Sequence, residues 1–219
     1  MRFTSSGFTM KLYSYDHCPF CVRARMILGF HNIAFEHIIL ANDDEETPIR
    51  LIDKKMLPIL VKADGSAMAE SMDIVRFIDA QSEQALLKQA PRPQVQTWLE
   101  NIGGYYNHLV MPRITRIGLA EFADDSAIAY FTRKKTESIG DFAQNLDDSA
   151  LYIEKASADL AALDQLLVSR EGMNGNIDEE DFYIFPILRS LSVVKNLPFP
   201  ERVQGYMQNI SEKTAIPLF

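Results

Sequence analysis

The stretch Lys11-Leu-Tyr-Ser-Tyr-Asp-His-Cys18-Pro-Phe-Cys21 decides the fold. Residues 11–15 favour a short β-strand, and apolar side chains recur at helical spacing from Val22 to Phe30. The two cysteines therefore lie on a strand-to-helix turn. Pro19 suits the first position of the helix, because its missing N–H would have no intrahelical partner there.

The spacing of the cysteines predicts a redox function. At the helix N-cap, Cys18 faces free backbone N–H groups and the positive end of the helix dipole. These favour the thiolate and lower a cysteine pKa from ~8.5 into a range of roughly 3.5–7.5. Since the thiolate is the nucleophile in disulfide exchange, we expect Cys18 to attack. Cys21 lies one turn further on and would resolve the mixed disulfide.

Two other interpretations of the cysteine pair exist. The pair could be half of a metal site that recruits His17 and His37, or it could be two inert core residues. A tetrahedral zinc site needs about four ligands, and the sequence has no second C-x-x-C and no H-x-x-x-H. We therefore favour redox chemistry and expect no metal.

Composition excludes several classes of function. The chain has 219 residues, is 47% hydrophobic and carries a net charge of -8, which argues against general nucleic-acid binding. No apolar run approaches the ~18 residues of a membrane span. The two cysteines are the only ones, so no structural disulfides are expected, and without a secretory signal we predict a cytoplasmic protein. Residues 1–9 are treated as an upstream start or a non-native remnant.

The order of predicted elements indicates two units. Residues 10–82 alternate as β-α-β-α-β-β-α, with a tight Asp64-Gly65 turn before the fourth strand. Residues 83–92 are a predicted linker, and residues 93–219 have almost no strand signal. Within this second half we expect a helical stretch over 95–117, which Gly103-Gly104 and Pro112 weaken, and a helix over 127–146. A further helix is expected from Asp178 and a last one from about Pro200.

Two further elements favour a peptide-like thiol substrate. In thioredoxin-like folds a cis-proline faces the cysteine turn, and Leu57-Pro58 is in the right place. The alternative is an ordinary trans-proline that starts an edge strand. Ser71 fits a helix N-cap, which binds a carboxylate well, and Glu70 could pair with an ammonium group. Plain helix capping is the alternative there.

These motifs together resemble known families. Residues 10–81 resemble a glutaredoxin-type thioredoxin fold, and Glu70-Ser71 with Asp73-Ile74 resembles the glutathione-binding signature of glutathione transferases. The helical half resembles the transferase C-terminal domain, including a capping box and hydrophobic staple formed by Ile177, Asp178, Asp181 and Phe182. From Met10 onward the chain resembles the large bacterial glutaredoxin 2 family, through residues 15–21, 42–48, 58–60, 70–75, 104–105, 112–113, 185–186 and 188–189.

The resemblance implies an α/β thioredoxin/glutaredoxin-like domain followed by an all-α transferase-like domain. It implies glutathione as cosubstrate, with glutathionylated or disulfide-bonded proteins as further partners, and a monomer. Cys18 would form the glutathione mixed disulfide. The glutathione-binding residues would be Pro19 and Phe20 beside the sulfur, Leu57 and Pro58 at the cysteinyl part, and Glu70 and Ser71 at the γ-glutamyl group.

The roles of several other side chains are not decided by the sequence. Lys54 and Lys55 are candidates for the cation at the glycine carboxylate, or a solvated surface pair. Arg23 and Arg25 are expected to be solvent-exposed helix charges rather than neighbours of Cys18. Tyr105, Tyr106 and Arg113 line either the cleft or the core, and core packing is the more common role of aromatic residues on a helix.

One departure from the family concerns Phe20, where the family usually has Tyr. We expect function to be retained, with a shift in redox poise or glutathione affinity. Two rival functions remain: a glutathione transferase that conjugates electrophiles, and a non-catalytic transferase-like module. Neither requires a second cysteine, so Cys21 is the feature that favours the oxidoreductase.

Overall fold

The protein, described here from a computed structural model, is defined over residues 9–219. Of the segment that we set aside, residues 1–8 lie outside this range. The first half has the predicted β-α-β-α-β-β-α order. Its elements are β1 (Lys11–Ser14), α1 (Pro19–Phe30), β2 (Glu36–Ile39), α2 (Glu46–Ile52), β3 (Ile59–Val61), β4 (Ala67–Met68) and α3 (Ser71–Asp79).

The four strands form one mixed sheet in the order β2-β1-β3-β4. β1 pairs parallel with β2 and antiparallel with β3, and β3 pairs antiparallel with β4, as the tight turn predicts. Leu12 lies opposite Leu60, and both side chains are fully buried. Because β1 is central and ends at Ser14, the cysteine turn lies at its carboxyl end, directly before α1.

The second half is helical. It comprises α4 (Pro93–Gly103), α5 (Tyr106–Ile114), a 3₁₀ turn (Ala120–Phe122), α6 (Asp125–Ile139), α7 (Phe142–Asp147), α8 (Ser149–Leu166), α9 (Glu179–Leu191) and α10 (Glu201–Thr214).

Two of the helices expected in this half are broken. The single helix predicted over 127–146 is wrong, because Gly140 adopts a φ of 77° and ends α6. Asp141 then caps α7 by accepting a hydrogen bond from the Gln144 N–H at 2.9 Å. The stretch over 95–117 is likewise divided, into α4 and α5, after Gly103.

The start of α9 confirms the predicted capping box. The Asp178 backbone N–H donates to the Asp181 carboxylate at 2.9 Å, and the Asp178 carboxylate accepts from the Glu180 N–H at 3.0 Å. Phe182 is fully buried, and Ile177 packs against the same hydrophobic cluster. Asp178 therefore serves as the N-cap.

One hydrophobic core runs through both halves, from Met10 in the first to Ile216 in the second. Helix α1 packs against α3, α9 and α10. At Gly29 the approach is so close that a Cβ atom would lie 2.6 Å from the Thr214 carbonyl oxygen. The absence of a side chain at Gly29 is thus what lets α1 touch the end of α10.

The segment over residues 83–92 forms neither helix nor strand, and it is tied down at its end. Arg92 donates from its guanidinium to the fully buried Glu180 carboxylate, at distances down to 2.7 Å. The division into units at this segment stays a prediction, since the core is continuous across it. Across residues 9–219, no helix combines the length and apolar character required to span a bilayer.

Candidate active site

Cys18 and Cys21 are both free thiols at the start of α1. Cys18 is the N-cap in an extended conformation, with Pro19 at the first helical position, as the motif predicts. Cys18 is partly exposed, whereas Cys21 is fully buried. The Tyr15 backbone N–H donates to the Cys21 sulfur at 3.4 Å. Only the first sulfur is therefore accessible to a substrate.

The pKa values of the two thiols are shifted in opposite directions. A hydrogen bond from the Cys21 thiol is the largest cause that lowers the pKa of Cys18, to about 6; the positive charge of His17 and the N–H groups of Cys21 and Phe20 add to it against the effect of burial. Burial raises the pKa of Cys21 well above its ordinary value, and the bond to Cys18 raises it further. At neutral pH the pair is one thiolate and one thiol.

His17, the residue before the nucleophile, is bound by a carboxylate from the second half. Glu121 Oε1 accepts from the His17 backbone N–H and from its Nδ1, each at 2.8 Å. The Glu121 side chain is 0% exposed. Burial alone would raise the pKa of Glu121, but the hydrogen bond and charge of His17 lower it below its usual value, so the group is ionised.

Asp16 is bound by a second buried group of the helical half. Arg189, whose side chain is 1% exposed, donates to the Asp16 carbonyl at 2.6 Å and to its carboxylate at 3.1 Å. It also donates to the Pro217 carbonyl at 2.7 Å. Burial lowers the pKa of Arg189 to about 10, which leaves it charged at neutral pH. The cysteine turn is thus anchored to α9.

Arg23 and Arg25 contradict the expectation of solvent-exposed charges. Arg25 pairs with Asp16 and has a side chain that is only 11% exposed. Arg23 is also largely buried, which lowers its pKa. It donates to the Phe182 carbonyl at 3.1 Å and to the Ser71 hydroxyl at 3.4 Å, and it lies 4.7 Å from the centre of the Phe20 ring. Helical spacing alone did not show that α9 covers this face of α1.

A cleft between the two halves opens at Cys18 and has two lobes. The first lobe, of about 300 Å³, is lined by Cys18, Lys55 and Leu57 together with Tyr130 and Lys134 of α6. The second lobe, of about 340 Å³, is lined by Cys18, Pro19 and Phe20 and by residues of α5. His17 and Lys135 line both lobes. Cys18 therefore borders both lobes.

The Leu57–Pro58 bond is cis, as predicted, and Pro58 is buried behind Leu57. Leu57 lines the first lobe with Cys18. Phe20 is 53% exposed, so its ring forms an open wall of the second lobe.

Glu70 and Ser71 differ from expectation in their roles at α3. The helix begins at Ser71, and its N-cap is Glu70, so the prediction of Ser71 as N-cap is wrong. Instead of capping the helix, the Ser71 hydroxyl accepts from Arg23, because that guanidinium reaches it across the α1–α3 contact. Glu70 is exposed, with a φ of 66° that is rare for a residue with a side chain. Neither residue lines the two lobes.

The two candidate lysines are separated by the structure. Lys54 is exposed and lines neither lobe. Lys55 lines the first lobe, but its ammonium group donates to the Asn42 carbonyl at 2.9 Å and to the Asp44 carbonyl. Lys134 and Lys135 of α6 also line this lobe, and sequence reasoning missed them because nothing local marks a helix as facing the cleft.

Of the three open residues on the second half, Tyr106 lines the second lobe. Tyr105 instead donates to the Asp159 carboxylate at 2.7 Å, and Arg113 donates to the Ser149 hydroxyl at 2.7 Å. Among residues 9–219, no group of three or more His, Cys, Asp or Glu side chains is arranged to hold a metal ion.

Comparison with known proteins covers both halves. The family model "Glutaredoxin 2, C terminal domain" matches residues 94–219, and "Glutathione S-transferase, N-terminal domain" matches residues 12–86. Glutaredoxin 2 of Escherichia coli K12 is 44% identical over 209 residues, which are 95% of this chain and 97% of that protein. Mouse prostaglandin E synthase 2 is 30% identical over 76 residues, which are 35% of this chain and 20% of that protein.

The comparison with solved structures also finds a glutaredoxin 2. Glutaredoxin 2 from Salmonella typhimurium, crystallised in complex with glutathione, has a TM-score of 0.93 at 44% identity and covers 95% of this chain and 96% of its own. A β-etherase from Sphingobium shares the fold alone, with a TM-score of 0.64 at 18% identity over 95% of this chain and 97% of its own. The α/β thioredoxin-like half and the helical transferase-like half are thus the expected fold class. The chain belongs to the glutaredoxin 2 family.

Proposed function

We propose that the protein is a glutathione-dependent thiol–disulfide oxidoreductase with Cys18 as nucleophile and Cys21 as resolving thiol. The observation that carries the proposal is the division between the two sulfurs. Cys18 is accessible, with a pKa lowered to about 6, and Cys21 is buried and protonated beside it. A thiolate that is ionised at neutral pH attacks disulfides, and its low pKa also makes it a good leaving group.

Reduction of a glutathione mixed disulfide then needs Cys18 alone. The Cys18 thiolate attacks the glutathione sulfur, a Cys18–glutathione disulfide forms, and the protein substrate leaves as a thiolate that takes a proton from water. A second glutathione, reacting as its thiolate, attacks the glutathionyl sulfur and releases glutathione disulfide. Cys18 returns as the thiolate. In the net reaction, one mixed disulfide and one glutathione thiol become one substrate thiol and one glutathione disulfide, and Cys18 is unchanged.

Reduction of a protein disulfide uses both cysteines. Cys18 attacks one substrate sulfur, and the other substrate sulfur leaves as a thiolate. Cys21 then loses its proton and attacks the Cys18 sulfur, which forms the Cys18–Cys21 disulfide and frees the second substrate thiol. Two glutathione molecules reduce this disulfide and leave as glutathione disulfide. Cys21 lies one helical turn from Cys18, which supports this second attack.

We infer that glutathione binds at the thioredoxin-like half. Leu57, beside the cis-proline, lines the same lobe as Cys18, which supports pairing of its backbone with the cysteinyl part. Glu70 and Ser71 are the candidates for the γ-glutamyl group, and the unusual φ of Glu70 supports a special role. Lys55 is the candidate for the glycine carboxylate. The Salmonella relative, which was crystallised with glutathione, supports the same cosubstrate here.

The further partners are inferred to be proteins that carry glutathione or a disulfide, in the cytoplasm, with this chain acting as a monomer. The net charge of -8 and the open, partly cationic cleft support selection of substrates by the cleft rather than by the overall surface. Size-exclusion chromatography with light scattering tests the monomer, which a mass of twice 24.9 kDa would contradict.

The decisive experiment compares wild type, Cys18→Ser and Cys21→Ser in a glutathione-coupled assay on a small glutathione mixed disulfide and on a protein disulfide. We expect Cys18→Ser to abolish both activities, and Cys21→Ser to keep mixed-disulfide reduction while losing most protein-disulfide reduction. Full activity of Cys18→Ser would reject the proposal. Conjugation of an electrophile such as chlorodinitrobenzene, measured in parallel, would reveal a transferase if it exceeded the reductase activity.

A further inference from the structure

Glu121 is a buried carboxylate for which the proposed chemistry gives no role. Its Oε1 accepts two hydrogen bonds from His17, and its Oε2 is buried with no hydrogen-bond partner among residues 9–219. A buried, ionised carboxylate is costly unless an opposite charge compensates it. In contact with Glu121, His17 is the group that supplies this charge when its ring is protonated.

The ring of His17 is held from several sides. An ionised carboxylate only accepts hydrogen bonds, so Nδ1 carries the hydrogen in the contact with Glu121. Tyr15 stacks on the ring at a centroid distance of 5.6 Å, while Phe122 and Phe131 contact it at 5.1 and 5.2 Å. Three of these four contacts come from the second half. With Nδ1 engaged, Nε2 is the nitrogen available to the cleft, which His17 lines in both lobes.

We propose that His17 and Glu121 act as one unit that positions a positively charged imidazole beside the Cys18 sulfur, so that the second half of the chain takes part in activating the nucleophile. This inference deepens the proposed function and rests on Cys18 being its nucleophile. Glu121 is a positioning residue: it touches His17, and of the two only His17 lines the lobes together with Cys18.

Other charged or titratable groups also face this part of the cleft. Those that line the lobes are Tyr15 after β1, Lys55 before the cis-proline, Tyr106 on α5, and Tyr130, Lys134 and Lys135 on α6. Cys21 and Arg23 on α1 line neither lobe but also interact electrostatically with Cys18. All of them remain unchanged in variants of residues 17 and 121. A shift in the pKa of Cys18 in such variants therefore reports on the His17–Glu121 pair.

The test is a double-mutant cycle on the rate of Cys18 alkylation by iodoacetamide as a function of pH. His17→Asn places an amide N–H where Nδ1 was, so the contact with Glu121 is kept while the positive charge is lost. Because the charge of Glu121 is then uncompensated, we expect the alkylation midpoint to rise by about one pH unit, a tenfold loss of thiolate below the midpoint. Glu121→Gln keeps the hydrogen-bond acceptor and removes the negative charge. We expect this variant alone to shift the alkylation midpoint only slightly, because loss of the negative charge at residue 121 is accompanied by loss of positive charge on His17.

The double-mutant cycle distinguishes electrostatic coupling of His17 and Glu121 from a purely structural role of Glu121 in holding the two halves together. If the pair acts as a unit, His17→Asn shifts the midpoint at least twofold less in the Glu121→Gln background than in wild type. If Glu121 is only a tether between the halves, the variants lower the free energy of unfolding, and all midpoints stay within about 0.3 pH units of the wild-type value, roughly a third of the shift expected from loss of the charge. That outcome would overturn the proposal. Equal shifts in both backgrounds would overturn it as well.

Asp79→Asn is the matched control. His31 and Asp79 form a second histidine–carboxylate pair, at 2.9 Å and also largely buried, between α1 and α3 and outside both lobes. We expect this variant to lower stability and leave the Cys18 midpoint unchanged; an equal shift here would overturn the proposal. Alkylation needs no glutathione, so the result is independent of whether the reductase assay supports the proposed function.

Discussion

The two halves of the molecule contribute to the cysteine turn in different ways. The first half supplies the sulfurs and the cis-proline, which lie in short, contiguous motifs. The second half supplies buried charges, Glu121 and Arg189, which bind the two residues directly before Cys18. The comparison shows that the nucleophile is encoded locally, whereas its setting depends on contacts between residues more than a hundred positions apart.

The contribution of Arg189 is the strongest test of this comparison. Arg189→Met keeps the bulk but leaves the Asp16 and Pro217 carbonyls without their donor, and the Asp16 carboxylate loses one of two guanidinium partners. Removing one partner of a buried ion pair costs about 3–5 kcal/mol, and we expect a loss of that order in the free energy of unfolding, measured with urea.

The control is Arg76→Gln, which removes another ion pair between the halves, from α3 to Glu179 on α9. The Arg76 side chain is 54% exposed, so the loss should stay within about 1 kcal/mol. Similar losses in the two variants would show that burial of Arg189 brings no special role, and that Arg189 does not hold the cysteine turn.

The close contact between the halves at Gly29 can be tested with two glycine-to-alanine variants that should change stability in opposite directions. In Gly29→Ala the new methyl group meets the Thr214 backbone at 2.6 Å, so α1 or α10 has to move, at a cost of about 1–3 kcal/mol. Gly205→Ala lies within α10, where a Cβ meets nothing within 4 Å, and should stabilise by about 0.5–1 kcal/mol through helix propensity. Thermal denaturation of both variants measures the difference, and a neutral Gly29→Ala would contradict the close contact.

The smallest expected effect lies within the first half. In Cys21→Ala the Cys18 thiolate loses the hydrogen bond that most lowers its pKa from its ordinary value to about 6. The pKa therefore rises, by about one unit if the bond contributes about 1.4 kcal/mol. Since only the thiolate reacts, alkylation at pH 6 should fall to roughly a fifth of the wild-type rate (from half to about a tenth ionised).

Cys21→Ser separates the hydrogen bond from other effects of the substitution. Its hydroxyl can still donate, so its midpoint should lie between those of wild type and Cys21→Ala. An unchanged midpoint in Cys21→Ala would mean that the helix N-terminus and the second half together set the acidity of Cys18, which would extend the role of the second half further than we propose.

The local parts of the fold and site were predictable from sequence. The cysteine spacing with Pro19 gave the strand-to-helix turn, the Leu57-Pro58 pair gave the cis bond, and Asp178 with Asp181 gave the capping box. Each depends on residues within a few positions of one another, and each restricts the backbone directly.

The errors arose where distant contacts decide the outcome. The Ser71 hydroxyl accepts a hydrogen bond from Arg23 instead of capping α3. Arg25 forms an ion pair with Asp16 instead of being exposed to solvent. Glu121 stands in a stretch without a recognisable motif, and its burial depends on His17, 104 positions earlier. Gly140 was passed over because one glycine in a helical pattern is often tolerated, whereas its positive φ is a property of the folded chain.

The bond between Asp16 and Arg189 joins residues 173 positions apart, and this has a consequence for biosynthesis. Translation proceeds from the N-terminus, so both thiols leave the ribosome long before α9, which carries the arginine, has been made. Until then the cysteine turn lacks its anchors, and the thiol that is buried in the finished protein has no cover from the second half. The reactive centre is synthesised before the helical half that completes it, which makes the nascent chain a stage at which its cysteines depend on the reducing capacity of their surroundings.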